Sequence, residues 1–105
     1  LNENRNNRRH PIIADIIYHG EGMQQNGRTS DLSEGGLFID TMNPLPEGSE
    51  VAFRFMLPGD PTGKPVMGKG VVTWGQPTVG MGIRFTLLAV GDRERIVSYL
   101  ATHQA

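Results

Sequence analysis

Fourteen glycines are scattered through a chain of 105 residues, and no other feature limits the fold so strongly. Fixing a glycine costs more backbone entropy than fixing any other residue, so a helix interior tolerates few of them. Here they punctuate short apolar runs, a pattern that suits a small sheet protein with many turns and not a helical bundle. The length matches one domain. Cysteine is absent, which removes disulfides and thiolate metal ligands and leaves the compartment open. No run approaches the roughly 20 apolar residues that span a bilayer, so membrane insertion is not expected; nor does an apolar signal segment lead the chain.

Alternating patterns predict the strands. Ile12, Ala14, Ile16 and Tyr18 share one face of a segment that starts after Pro11. A turn at His19-Gly20-Glu21-Gly22 leads to a weaker strand from about Gly27 to Leu32. Leu37-Phe38-Ile39 follows, and then Val51 to Leu57, with Val51, Phe53, Phe55 and Leu57 on one face. A loop from Pro58 to Gly63 joins that strand to Val66–Trp74, which pairs with Gly80–Leu87. From Gly91 to Thr102 the spacing becomes helical: Asp92 and Glu94 suit a helix start, and Ile96, Val97 and Leu100 form one stripe. The predicted fold is all-β, a small six-stranded antiparallel barrel with a C-terminal α-helix over an opening or edge. Trp74, Phe53, Phe55 and Phe85 are expected in the core, with Met56, Met67 and Met81 as fillers. Arg93 and Arg95 read as solvated charges beside Asp92 and Glu94.

Ten basic residues against eleven acidic ones give a net charge of −1, which argues against a general polyanion binder. Lys64, Lys69 and Arg84 form no basic stripe, so nucleic acid is not an expected partner. Near the start, however, Asn4-Arg5-Asn6-Asn7-Arg8-Arg9-His10 carries three arginines and no apolar side chain. This is either a solvated terminal segment or a set of guanidinium forks for an anion, since arginine pairs bidentately with phosphate and with a guanine edge.

Familiar catalytic patterns are missing: there is no HExxH, no complete GxxxxGK[ST] loop and no GxSxG elbow. His10, His19 and His103 lie far apart and outside ligand spacings, so no metal site is expected. Ser33 has no paired base, and a turn role with its hydroxyl on nearby backbone suits it better than covalent chemistry. Asp31 and Glu34 do not resolve into an acid–base pair. Binding is the class that remains. If Leu32 points inward, Asp31 and Ser33 share the outer face, where Asp accepts hydrogen bonds from guanine N1–H and N2–H. Gly35-Gly36 then permits a tight turn or a close ligand approach. Each of these is also an ordinary turn residue, and both readings stand.

At these two places the sequence resembles the PilZ domain family, bacterial receptors for cyclic di-GMP. The family pattern is RxxxR followed some twenty residues later by [D/N]xSxxG. Arg5-Asn6-Asn7-Arg8-Arg9 supplies the first part and Asp31-Leu32-Ser33-Glu34-Gly35-Gly36 the second. Gly35 to Ile39, Pro44 to Gly48 and Gly80 to Phe85 look like the family's strand and turn segments. A shifted register starting at Arg8 would put Ile12 at the second arginine position. The Arg5/Arg9 register keeps the family's Pro spacing at Pro11, although His10 departs from the usual apolar residue.

The resemblance implies a six-stranded barrel with a terminal helix, residues 12–105, preceded by a flexible basic ligand-binding arm, residues 1–11. Arg5 and Arg9 would wrap over cyclic di-GMP, with Arg8 an auxiliary phosphate contact. Asp31 and Ser33 would meet a guanine, and Gly35 and Gly36 would keep the turn clear. Such domains are non-catalytic and cytoplasmic, need no cofactor, and signal through arm ordering and altered contacts with a protein effector or adjacent domain. A barrel that docks proteins without binding nucleotide is the alternative.

Overall fold

The structure, a computed structural model, describes residues 9–102. Six strands precede one helix: β1 (His10–Gly20), β2 (Met23–Leu32), β3 (Gly36–Asp40), β4 (Glu50–Phe55), β5 (Val66–Gln76), β6 (Gly80–Leu88) and α1 (Asp92–Thr102). All pairings are antiparallel, and the strands close in the order β1-β2-β3-β6-β5-β4. Closure leaves the apolar faces a common interior. Ile12, Ile16 and Tyr18 meet Val51, Phe53 and Phe55 there, with Met81, Ile83 and Phe85 alternating inward from β6. Phe53 lies between Phe55 and Phe85, ring centroids 6.1 and 5.4 Å away. Ile96 of α1 is fully buried in the same cluster, so the helix belongs to the core and does not merely shield a rim.

Two strands differ from their sequence patterns. β1 starts at His10, because His10 and Pro11 already pair with Leu32 and Asp31. It continues through Gly20, and β2 starts at Met23 instead of Gly27. The two strands form a ribbon closed by Glu21 and Gly22, both at positive φ (51° and 76°), the geometry of a tight hairpin turn. Met23, Gln24 and Asn26 are exposed, so this half of β2 has no apolar alternation to betray it.

Several side chains also face the other way. Trp74 is outside. Alternation from Val66 through Val72 points it inward, but a bulge lets Val72 pair with Ile83 while Trp74 pairs with Gly82, which reverses the facing. Met56 and Met67 are exposed and only Met81 is core. Val97 is exposed, and Ile96, Tyr99 and Leu100 carry the helix contact. Arg95 is not a solvated charge: its guanidinium meets the Asp60 and Asp92 carboxylates and donates to the Pro65 carbonyl.

Candidate functional site at the end of strand β2

A second bulge builds the site. Thr29 pairs with Ile39 and Asp31 with Phe38, so Ser30 is the extra residue. Thr29 and Leu32 both point inward, fully buried, and Asp31 is turned outward between them. The displaced Ser30 hydroxyl donates to Asp40 Oδ1 at 2.9 Å, which holds the bulge from the side.

Arg9 lies against that carboxylate. Its Nη1 donates to Asp31 Oδ1 at 2.7 Å, joining residues 22 apart in sequence. Arg9 is 54% exposed and Asp31 26%, so the pair is a solvent-accessible one. Such pairs contribute about 0–1 kcal/mol. Asp31 Oδ2 takes no hydrogen bond from any described residue. The carboxylate therefore retains acceptor capacity while Arg9 stays bound.

The β2–β3 turn is sealed by Ser33, which is buried. Its Oγ accepts from the Gly36 N–H at 3.2 Å and lies 3.3 Å from the Gly36 carbonyl, whose oxygen also accepts the Ser33 N–H at 2.8 Å. The turn role anticipated for Ser33 is the one it has. It does not share an open face with Asp31. Gly36 needs no unusual backbone angle; it is glycine because a Cβ would lie 2.1 Å from the Ile83 carbonyl oxygen on β6. The Gly35 carbonyl accepts from the Phe85 N–H at 2.8 Å, pinning the same turn to the same strand.

Of the sequence-predicted site residues, Arg9, Asp31, Ser33, Gly35 and Gly36 come together here; Arg5 and Arg8 lie outside the described residues. Sequence reasoning missed what lies beside them. Asp31, Phe38, Gly82 and Trp74 form one outward row across β2, β3, β6 and β5. Trp74 leans over Gly82, Phe38 over Gly80, and the two rings meet at 5.5 Å. Glycine at both positions leaves room for this aromatic surface. Arg84 stands exposed next to Gly36, with which it pairs. The signals were the glycines of Gly80-Met81-Gly82 opposite two aromatics, legible only once the bulges are known.

At the start of β1, His10 packs its ring edge-on against Tyr99 of α1, centroids 6.3 Å apart. Burial pushes the Tyr99 hydroxyl above its ordinary pKa of 10.0. Among the described residues no His, Asp and Glu cluster is arranged to hold a metal. The segment Gly63 to Lys69 has phosphate-loop glycine spacing, but it runs from a loop into β5 instead of from a strand into a helix, and Gly70 follows it. No helix among the described residues is long and apolar enough to cross a membrane.

No curated protein matches the sequence. Solved structures share the fold, among them these two. The Bacillus subtilis inhibitor of motility MotI/DgrA superposes with a TM-score of 0.78 at 17% identity, over 91% of this chain and 49% of that one. The PilZ domain of CeSA, from a cellulose-synthesizing bacterium, does so at 0.67 and 18% identity, over 90% and 96%. This chain thus spans about half the length of MotI/DgrA. The sequence itself matches the PilZ domain over residues 3–102. With the barrel, the terminal helix and that match in agreement, the chain belongs to the PilZ domain family, the non-catalytic receptor domains that bind cyclic di-GMP in bacterial signalling.

Proposed function

We propose that this domain holds cyclic di-GMP on its outer face at the end of β2, with the residues before β1 folding over the ligand. The observation that supports this most is the contact between Arg9 and Asp31, which brings one arginine of the basic segment to the acidic strand end. Each half lacks what the other supplies. Asp31 offers acceptors for a guanine N1–H and N2–H but repels phosphate. Arg5 and Arg9 offer paired donors for phosphates and guanine edges, with Arg8 adding a peripheral phosphate contact. Ser33, Gly35 and Gly36 keep the turn in shape beneath the ligand, and Phe38 with Trp74 gives a flat apolar surface beside it. Ligand binding orders the arm and thereby changes contacts with a protein effector or an adjacent domain, in the cytoplasm where this messenger acts.

Calorimetry is the direct test. Cyclic di-GMP gives a saturable heat while GTP and unrelated single strands bind much more weakly at the same salt. Equal binding of all three would reduce the site to general anion attraction. Absence of heat and of chemical-shift changes would leave a docking domain without nucleotide. Trp74 is the only tryptophan, so its emission supplies an independent readout, expected to change on titration with cyclic di-GMP and not with GTP.

A further inference from the structure

Away from the C-terminal end of β2 and from β3, one outer face of the barrel is chemically one-sided. Register places Ile17, Arg54 and Met67 in one row across β1, β4 and β5. His19, Ala52, Lys69 and Leu87 form the next row, which reaches the end of β6. Between the rows runs a groove of about 330 Å³. Met67 is 48% exposed and Leu87 59%, large apolar side chains left in water on a barrel whose interior is otherwise filled.

The groove has cations and no carboxylate in its lining. Neither Arg54 nor Lys69 makes an ion pair among the described residues. Of the surrounding carboxylates, Glu21 and Glu50 line an adjoining depression that shares His19 and Lys69 with the groove, and Asp15 lies outside the lining, two residues before Ile17 on the outward face of β1. An apolar floor between unpaired cations complements one kind of surface, an apolar one carrying negative charge. Methionine suits such a floor because its unbranched, polarizable side chain repacks around different partners. A second copy of the chain fits poorly, since a twofold contact would set Arg54 and Lys69 against their own equivalents. A nucleic acid fits poorly too: the floor offers no Phe, Tyr or Trp at its exposed positions, and two cations neutralise few phosphates.

We propose that this face docks a segment of another protein in which large aliphatic or aromatic side chains alternate with Asp and Glu. Met67 and Leu87 supply the apolar contact, and Arg54 and Lys69 select for acidic residues. The proposal uses neither Arg9 nor Asp31 and requires no bound nucleotide, so it stands or falls apart from the nucleotide site.

The test is selection of a random displayed-peptide library on the nucleotide-free domain, followed by affinity measurement with the recovered peptides. Two double variants serve as controls, Met67→Glu with Leu87→Glu and Arg54→Glu with Lys69→Glu. All four side chains lie on the surface, and retained amide spectra confirm that each variant folds. The expected peptides carry Asp and Glu around Leu, Ile, Met or Phe and weaken about tenfold or more on both variants. Replacing their acidic residues by Lys restores binding to the Arg54→Glu, Lys69→Glu variant and not to the wild type. Peptides without acidic bias, affinities unchanged by either variant, or no recovered binders at all would overturn the assignment.

Discussion

Asp31 owes its outward position to one extra residue. Without Ser30 in the bulge, Thr29 and Leu32 could not both point inward with Asp31 exposed between them. At this scale the two arginine registers make different predictions for calorimetry at matched salt. Arg5→Ala and Arg9→Ala are each expected to weaken cyclic di-GMP binding by about 2–5 kcal/mol where the contact is desolvated. Arg8→Ala is expected to cost about 1 kcal/mol as a peripheral phosphate contact. Loss of binding on Arg8→Ala with a neutral Arg5→Ala would shift the motif by three positions. Gly36→Ala brings a Cβ against the Ile83 carbonyl oxygen, a backbone atom that cannot swing away. Denaturant unfolding should show a loss of about 1–3 kcal/mol from overpacking.

Among the elements, the helix and the β4–β5 loop behave as one piece. Arg95 ties Asp60 of the loop to Asp92 of α1, and the Asp92 Oδ2 accepts the Met67 N–H at 2.9 Å, which fastens the helix start to β5. The Asp60 carboxyl is held below its ordinary value of 3.8, chiefly by the Thr62 N–H and then by Arg95. Burial of Arg95 by itself favours its neutral form, but the bonds to Asp60 and Asp92 outweigh this and hold its pKa above the ordinary value. A carboxylate with a lowered folded pKa stabilises above its unfolded pKa, and that contribution fades as pH falls through the folded value. The stability gap between wild type and Asp60→Asn should therefore be present at neutral pH and close below about pH 4, read from urea midpoints across the acid range. Arg95→Ala should lower stability by about 2–3 kcal/mol by leaving the nearly buried Asp92 carboxylate without its cation. A variant within about 0.5 kcal/mol of wild type would show the clamp to be idle.

The same elements mark where sequence ran out. Long alternating runs such as Ile12–Tyr18 and Val51–Leu57 declared their strands, and both motifs of the proposed site were visible as text. Trp74 was misplaced because a bulge changes facing without changing composition. Arg95 was misread because its partner Asp60 lies 35 residues away. The first half of β2 was invisible because an exposed ribbon needs no apolar face.

Over the whole molecule, one contiguous core serves every element, from Ile12 on the first strand to Ile96 on the helix. Unfolding should accordingly be a single transition. Phe53 stands at the centre of that core between two other rings, and Phe53→Ala is expected to cost about 3–5 kcal/mol through lost burial and a cavity. The denaturant midpoint should fall with its slope unchanged, whereas a loss below about 1 kcal/mol would exclude a tightly packed site. The edge-to-face contact of His10 with Tyr99 carries a consequence of another kind. The chain enters the barrel and leaves it at neighbouring points, so the backbone path is nearly a closed loop. A short linker could join those points and new ends be cut at an exposed turn such as Glu47-Gly48, giving a circular permutant with every strand pairing kept. By the same geometry, such a barrel can be spliced into a surface loop of a host protein with both junctions on one side.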